Sequence, residues 1–288
     1  MIVEPAPAKI NLYLHVGPLR DDGLHDLASL FVFTESGDEI AIAPADQLTL
    51  DIQGPFASAL HGSPVEENLV WRAAIELAKL AGIEAAVQIT LTKNLPVAAG
   101  IGGGSADAAA ALIASDRYWD LGLSRTEMEP IAFALGADVP ACLARAPINV
   151  TGAGEILSPG PVLPSLWVCL VNPGVETPTG PIFRQFDQEN PMPAKPVLAA
   201  IPDVSDDGVS ALFAETRNDL QGPAIAHCPV IAEVMALVTD AKGVLGARMS
   251  GSGATCFALF AERENADEIA RAARARGWWA MVSKLAQG

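Results

Sequence analysis

Basic residues are scarce in this chain of 288 residues: 18 Lys and Arg stand against 34 Asp and Glu, a formal net charge of −16. So acidic a chain does not pair with phosphate backbones or anionic headgroups, which argues against nucleic acid and membrane as partners. A site for a phosphorylated ligand must then be local, built from backbone amides and a few cations. Cysteine is sparse as well. Cys142, Cys169, Cys228 and Cys256 lie far apart without metal-ligand spacing, and read as buried reduced thiols of a cytoplasmic protein. No apolar run approaches the ~20 residues of a membrane span. The start, Met-Ile-Val-Glu-Pro-Ala-Pro, has no apolar segment of the kind a signal peptide needs. No internal repeat is visible. What is plentiful is core material: 50% of residues are hydrophobic and only 18% charged, which excludes disorder. The length suits one large domain or two medium ones.

The most informative stretch is Pro96-Val97-Ala98-Ala99-Gly100-Ile101-Gly102-Gly103-Gly104-Ser105-Ala106, followed by more alanine. Glycine lets backbone amides approach a ligand closely, and alanine is the strongest helix former. Ser105 reads as the N-cap of that helix. A loop of exposed amides at a helix N-terminus is a ready phosphate site. No Gly-Lys-Ser/Thr ends the loop, so it is not a Walker A motif. Ser105 stands where the third glycine of a dinucleotide fingerprint belongs, and Asp120 sits at a helix end rather than on a strand. A plain glycine hinge before a buried helix is the alternative.

Patterning predicts strands over 10–16, 24–34, 38–43, 48–52 and 86–92. It predicts helices over 68–80, with Asn68 as cap and Gly82 as stop, and over the loop helix to about Asp120. Ser124 and Glu127 form a capping box for a helix ending near Leu135. Residues 156–165, with several prolines, are the best candidate linker, and 187–208 form a second Pro/Asp-rich loop. Beyond the linker come a strand over 166–171, helices over 209–221 and 229–241, and strands over 245–249 and 255–259. A helix over 261–276 stopped by Gly277 and a strand over 278–284 complete the order. With the first two helices taken as one layer, this is β-α-β-β-α-β, a ferredoxin-like half.

Three short segments accompany the loop. In Pro7-Ala8-Lys9-Ile10-Asn11-Leu12, Lys9 and Asn11 share one face of an apolar strand. They mark either a solvated strand end or a functional pair. Asp138, in Leu135-Gly136-Ala137-Asp138-Val139-Pro140, is either a helix-terminal turn residue or a buried functional carboxylate. Ser250-Gly251-Ser252-Gly253-Ala254 is either a plain turn or a second backbone surface at the site.

Together with Arg20-Asp21-Asp22-Gly23-Leu24-His25, these stretches resemble the GHMP kinase superfamily, named for galacto-, homoserine, mevalonate and phosphomevalonate kinases. The likeness runs from residue 7 to about residue 260. It is greatest to the members that phosphorylate a cytidylyl-methylerythritol in non-mevalonate isoprenoid biosynthesis. The resemblance implies an α+β, two-domain GHMP kinase fold. Its N-terminal half (1–158) is ribosomal S5 domain 2-like and carries the loop; its C-terminal half (159–288) is ferredoxin-like. It implies transfer of the γ-phosphoryl of ATP, with Mg²⁺, to the 2-hydroxyl of the small-molecule substrate. Lys9 and Asp138 correspond to the catalytic pair. Residues 96–106, Asn68 and Lys93 correspond to the ATP site, and Asn11, His25, Phe183 and Thr179 to the substrate site. The metal's ligands are not assigned, and the protein is expected as a monomer or homodimer.

The chain departs from the family at Leu24, where a tyrosine is usual, at Ala106, where a second serine is common, and at Glu176. With one stacking face aliphatic, weaker but retained cytidine recognition is expected. Two alternatives stay open. One is a GHMP kinase for another alcohol, mevalonate- or homoserine-like, which needs no cytosine stack. The other is a non-catalytic nucleotide-binding regulator, which the presence of both Lys9 and Asp138 disfavours.

Overall fold

The computed structural model describes residues 1–199 and 205–287. Two long strands, β1 (Ile2–Leu19) and β2 (His25–Pro44), pair with each other. The sequence suggests two strands where β2 is one, because exposed Glu35 and Ser36 interrupt its apolar pattern while its backbone continues. The chain divides into two compact units made of non-contiguous segments.

The first unit comprises residues 1–9, 36–97 and 102–145. Here β3 (Thr49–Gln53) runs parallel to β4 (Val87–Thr92), which pairs antiparallel with the second half of β2. Helices α1 (Leu69–Ala81), α2 (Gly103–Trp119), α3 (Arg125–Leu135) and α4 (Val139–Ala144) pack together. Helix α1 buries Val70, Ala73, Ala74, Leu77 and Ala78, one stripe at helical spacing. Asn68 caps it by accepting the Val70 N–H at 2.9 Å. The alanines of α2 are buried on nearly all sides, and their small size permits close approach of α1. The expected Ser124–Glu127 capping box starts α3.

The second unit comprises residues 10–35, 98–101 and 146–288. Strand β5 (Ile148–Gly152) pairs with the first half of β2 and with β6 (Ile156–Pro159). The Pro-rich stretch expected as a linker therefore opens as a strand. There follow β7 (Trp167–Asn172), α5 (Thr179–Glu189), α6 (Asp206–Glu215), α7 (Gln221–His227) and α8 (Val230–Thr239). Then come β8 (Val244–Met249), β9 (Cys256–Phe260), α9 (Arg263–Arg274) and β10 (Trp279–Lys284). The helix expected over 209–221 is two helices, because the chain between them bridges to β1 at Leu14 and Asn218. Part of the loop expected over 187–208 is helical at its ends, and its residues 200–204 lie outside the described residues.

The sheet order β10-β7-β9-β8, antiparallel throughout, is ferredoxin-like. Val171, Ile182, Phe186, Val234, Phe260 and Ile269 are in its core. Cys142, Cys169 and Cys256 are buried and free, and burial pushes each thiol well above the usual cysteine range. Among the described residues, no helix is long and apolar enough to cross a membrane.

Candidate active site

In the first unit, β1 delivers Lys9 into the interior, where it is 5% exposed. Its Nζ lies 3.0 Å from Asp138 Oδ2. Asp138 precedes α4, which starts at Val139 with Pro140 in its first turn. The Asp138 side chain makes no capping bond, so its carboxylate is available to the lysine. It is helix-terminal and at the same time paired with a buried lysine, and the reading of Lys9 as a solvated strand end is overturned by its burial. The Asp138 side chain is 37% exposed against 6% for Lys9, so the carboxylate is the partner a substrate can reach.

The glycine loop turns through positive φ at Ala98, Gly100 and Gly102. The helix begins earlier than the sequence suggests: Gly102 is the N-cap, Gly103 and Gly104 are already helical, and Ser105 is the third helical residue. The Gly102 carbonyl accepts the Ala106 N–H at 2.8 Å, the first intrahelical bond. Left-handed Gly102 (φ +62°) reaches a conformation that a serine N-cap does not need, so the cap signal at Ser105 misleads. The opening turn of α2 has no intrahelical acceptors for its N–H groups. These donors, with the positive end of the helix dipole, suit an anion.

In the second unit, the loop segment 98–101 rests on the turn after β8. The Ser250 hydroxyl donates to the Gly100 carbonyl at 2.9 Å, and the Thr255 N–H donates to the Ala99 carbonyl at 3.2 Å. A Cβ on Gly100 would fall 2.5 Å from the Ser250 carbonyl oxygen, so only glycine fits. Asn11, 3% exposed, donates its backbone N–H to Ser250 Oγ at 3.2 Å and its Nδ2 to Ser29 Oγ at 3.0 Å. Asn218 donates to the carbonyls of Met249 and Gly251, both at 2.8 Å. The Ser250–Ala254 segment is thus a braced support for the loop rather than a plain turn. Asn218 escaped the sequence reading because nothing local marks it.

Also in the second unit, β2 starts at His25, which is buried. His25 Nδ1 lies 2.9 Å from the Gly17 carbonyl, which makes Nδ1 the protonated nitrogen. Nε2 lies 3.3 Å from Asp187 Oδ1 on α5. The ring stacks on Phe183 at 5.3 Å between centroids and 27° between planes, and meets Phe186 edge-on. The Thr179 and Ser252 hydroxyls are 3.0 Å apart. Leu24 is 54% exposed beside this group, and Glu176 is exposed. Asp187 was not among the residues singled out by sequence, because its place one turn beyond Phe183 has meaning only once α5 is formed.

Two expected ATP-site residues are committed elsewhere in their chemistry. The Asn68 carbonyl oxygen caps α1. The Lys93 amine is enclosed, 2.5 Å from Asp38 Oδ2 and 2.6 Å from Asp107 Oδ2. Burial opposes its charge, but Asp107 and Asp38 outweigh that and hold its pKa above the ordinary lysine value.

Residues 68–145 match the family described as GHMP kinases N terminal domain, and residues 209–277 match GHMP kinases C terminal. The chain is 45% identical over 286 residues to the 4-diphosphocytidyl-2-C-methyl-D-erythritol kinase of Paramagnetospirillum magneticum, covering 97% of each chain. It is 49% identical over 289 residues to the protein of that name in Paracoccus denitrificans, covering 98% of this chain and 96% of that one. A crystal structure of 4-(cytidine 5'-diphospho)-2C-methyl-D-erythritol kinase is similar over 100% of both chains, with a TM-score of 0.83 and 32% identity.

Proposed function

We propose, since this chain belongs to the 4-diphosphocytidyl-2-C-methyl-D-erythritol kinases within the GHMP kinase family, that it transfers the γ-phosphoryl group of ATP to the 2-hydroxyl of that cytidylyl alcohol. The observation that carries the reading is the pairing of buried Lys9 with the more exposed Asp138 at 3.0 Å. A hydroxyl is a weak nucleophile at neutral pH, and a carboxylate within reach accepts its proton as the new O–P bond forms. The bond between the γ-phosphorus and the β,γ-bridging oxygen breaks, ADP leaves with the electron pair, and the proton rests on Asp138. Lys9 orients Asp138 and offsets charge on the phosphoryl oxygens.

Residues 96–106 hold the phosphates through the amides that open α2. His25 and Phe183 take the cytosine in the second unit, the histidine through its Nε2 edge beside Asp187 and the phenylalanine through its ring face. Among the described residues, no three His, Cys, Asp or Glu gather to hold a metal. Mg²⁺ bound with the nucleotide would supply charge neutralisation on the phosphates. Asp138, the carboxylate partly open to solvent, is the side chain that fits a magnesium-bound water. We place the enzyme in the cytoplasm, where its buried thiols stay reduced.

The test is ADP release with ATP, Mg²⁺ and a panel of alcohols. Turnover on the cytidylyl-methylerythritol substrate is expected. Turnover on mevalonate or homoserine without it would sink the reading.

A further inference from the structure

Lys93, Asp38 and Asp107 form a sealed cluster beneath the start of α2. All three are buried, Lys93 and Asp38 at 2% exposure and Asp107 at 3%. Each comes from a different element: Lys93 follows β4, Asp38 lies within β2 and Asp107 sits in α2. The Lys93 ammonium bridges the two carboxylates. Asp38 uses its other oxygen to accept the backbone N–H groups of Asn94 at 2.5 Å and Leu95 at 2.8 Å. Those residues lead directly into Pro96, where the glycine loop begins. Gly103 is on the cluster's other side, where a Cβ would lie 3.1 Å from Lys93 Nζ. The entry to the loop and the helix at its exit are thus both tied to one ammonium group.

We infer that Lys93, Asp38 and Asp107 are positioning residues that fix the loop entry and the first turn of α2 for the nucleotide's phosphates, and that Lys93 acts through the two carboxylates rather than by touching the nucleotide. The inference rests on residues 96–106 being the phosphate clamp. Its physical basis is commitment. A buried ammonium already bridging two carboxylates would have to leave both to reach a ligand, and unpaired buried charges are costly. The second Asp107 oxygen is buried without a hydrogen-bond partner, so the cluster holds Asp107 through Lys93.

The test compares Asp107→Ala with Asp107→Asn. The alanine variant frees α2 from the cluster but leaves the Lys93–Asp38 pair balanced, so folding is retained. The asparagine variant keeps an acceptor for Lys93. Asp107→Ala is expected to raise KM for ATP about tenfold, since small misplacements of a binding loop are costly. KM for the cytidylyl substrate is expected to stay within about twofold, and Asp107→Asn to recover most of the ATP loss.

An ATP KM unchanged in Asp107→Ala would overturn the proposal. So would equal rises in both KM values with no recovery in Asp107→Asn, the mark of a merely structural role. A fall in ATP KM would also overturn it, because it would mean that the released Lys93 amine binds nucleotide. Backbone amide resonances of Gly103 and Gly104, followed in the wild-type protein as ADP is added, check the premise separately. Shifts there with an unchanged ATP KM in Asp107→Ala reject the positioning role alone. No shifts reject the clamp and the positioning role with it.

Discussion

A Cβ placed on Gly102 would lie 3.0 Å from both the Cβ and the Cε of Lys9. The stem of the lysine is therefore seated against the N-cap of α2, within the same unit. Gly102 also has φ +62°, where a side chain costs about 1–2 kcal/mol. Gly102→Ala adds strain and displaces Lys9 from Asp138. The expected outcome is a folded enzyme, a few degrees less stable by thermal melting, with kcat reduced about 100-fold. A variant with wild-type kcat would show that the contact does not position Lys9.

Asp138→Asn removes the proton acceptor and preserves the shape. Loss of a positioned general base costs about 10²–10⁴ in rate. The variant should therefore lose most of kcat while its affinity for ADP, measured by calorimetry, stays at the wild-type value. Retained kcat would remove Asp138 from the chemistry; lost ADP affinity would assign it to nucleotide binding instead.

Legibility in the sequence followed the range of each interaction. The Ser124–Glu127 box and the Asn68 cap are local hydrogen bonds between residues two or three apart, and both were readable. The ferredoxin-like order was readable because strand and helix periods alternate cleanly after Trp167. Lys9 and Asp138 were singled out by their local segments with two readings each, and their pairing, like the roles of His25 and Phe183, came only from the ordered motifs, since Lys9 and Asp138 are far apart in sequence. Lys93 entered only through the family resemblance, and nothing local reveals that Asp38, 55 residues earlier, takes its amine. The start of α2 was misplaced for a similar reason, because serine is the stronger local cap signal and Gly102 wins by a conformation that tertiary contacts require.

Leu24 is 54% exposed and directly precedes His25. A tyrosine there adds a stacking face, and base–aromatic stacking is worth about 1–3 kcal/mol. Leu24→Tyr is expected to lower KM for the cytidylyl substrate about fivefold to tenfold, the lower part of that range, with KM for ATP unchanged. Steady-state kinetics on both substrates checks this, and an unchanged cytidylyl KM would mean that residue 24 does not face the base.

The buried cluster also gives stability a pH dependence. Burial pushes the Asp107 carboxyl up from 3.8 to about 8, against the pull of Lys93, with Asp38 adding to the rise. The unfolded chain releases this proton near pH 4, whereas the folded protein holds it until near pH 8. Between those values the native state binds more protons than the unfolded state, so stability from this group is full below about pH 4 and is lost as pH rises towards 8. The charged groups facing Asp107 do not reverse the sign. Lys93 is held above the ordinary lysine value and stays charged throughout, and burial keeps the neighbouring Cys142 thiol neutral. Asp107→Asn removes the titration while keeping the shape. The melting temperature of the variant relative to wild type should therefore increase steadily from pH 5 to pH 8. A difference that is flat across that range would mean that Asp107 is ionised throughout, with its charge fully balanced by Lys93.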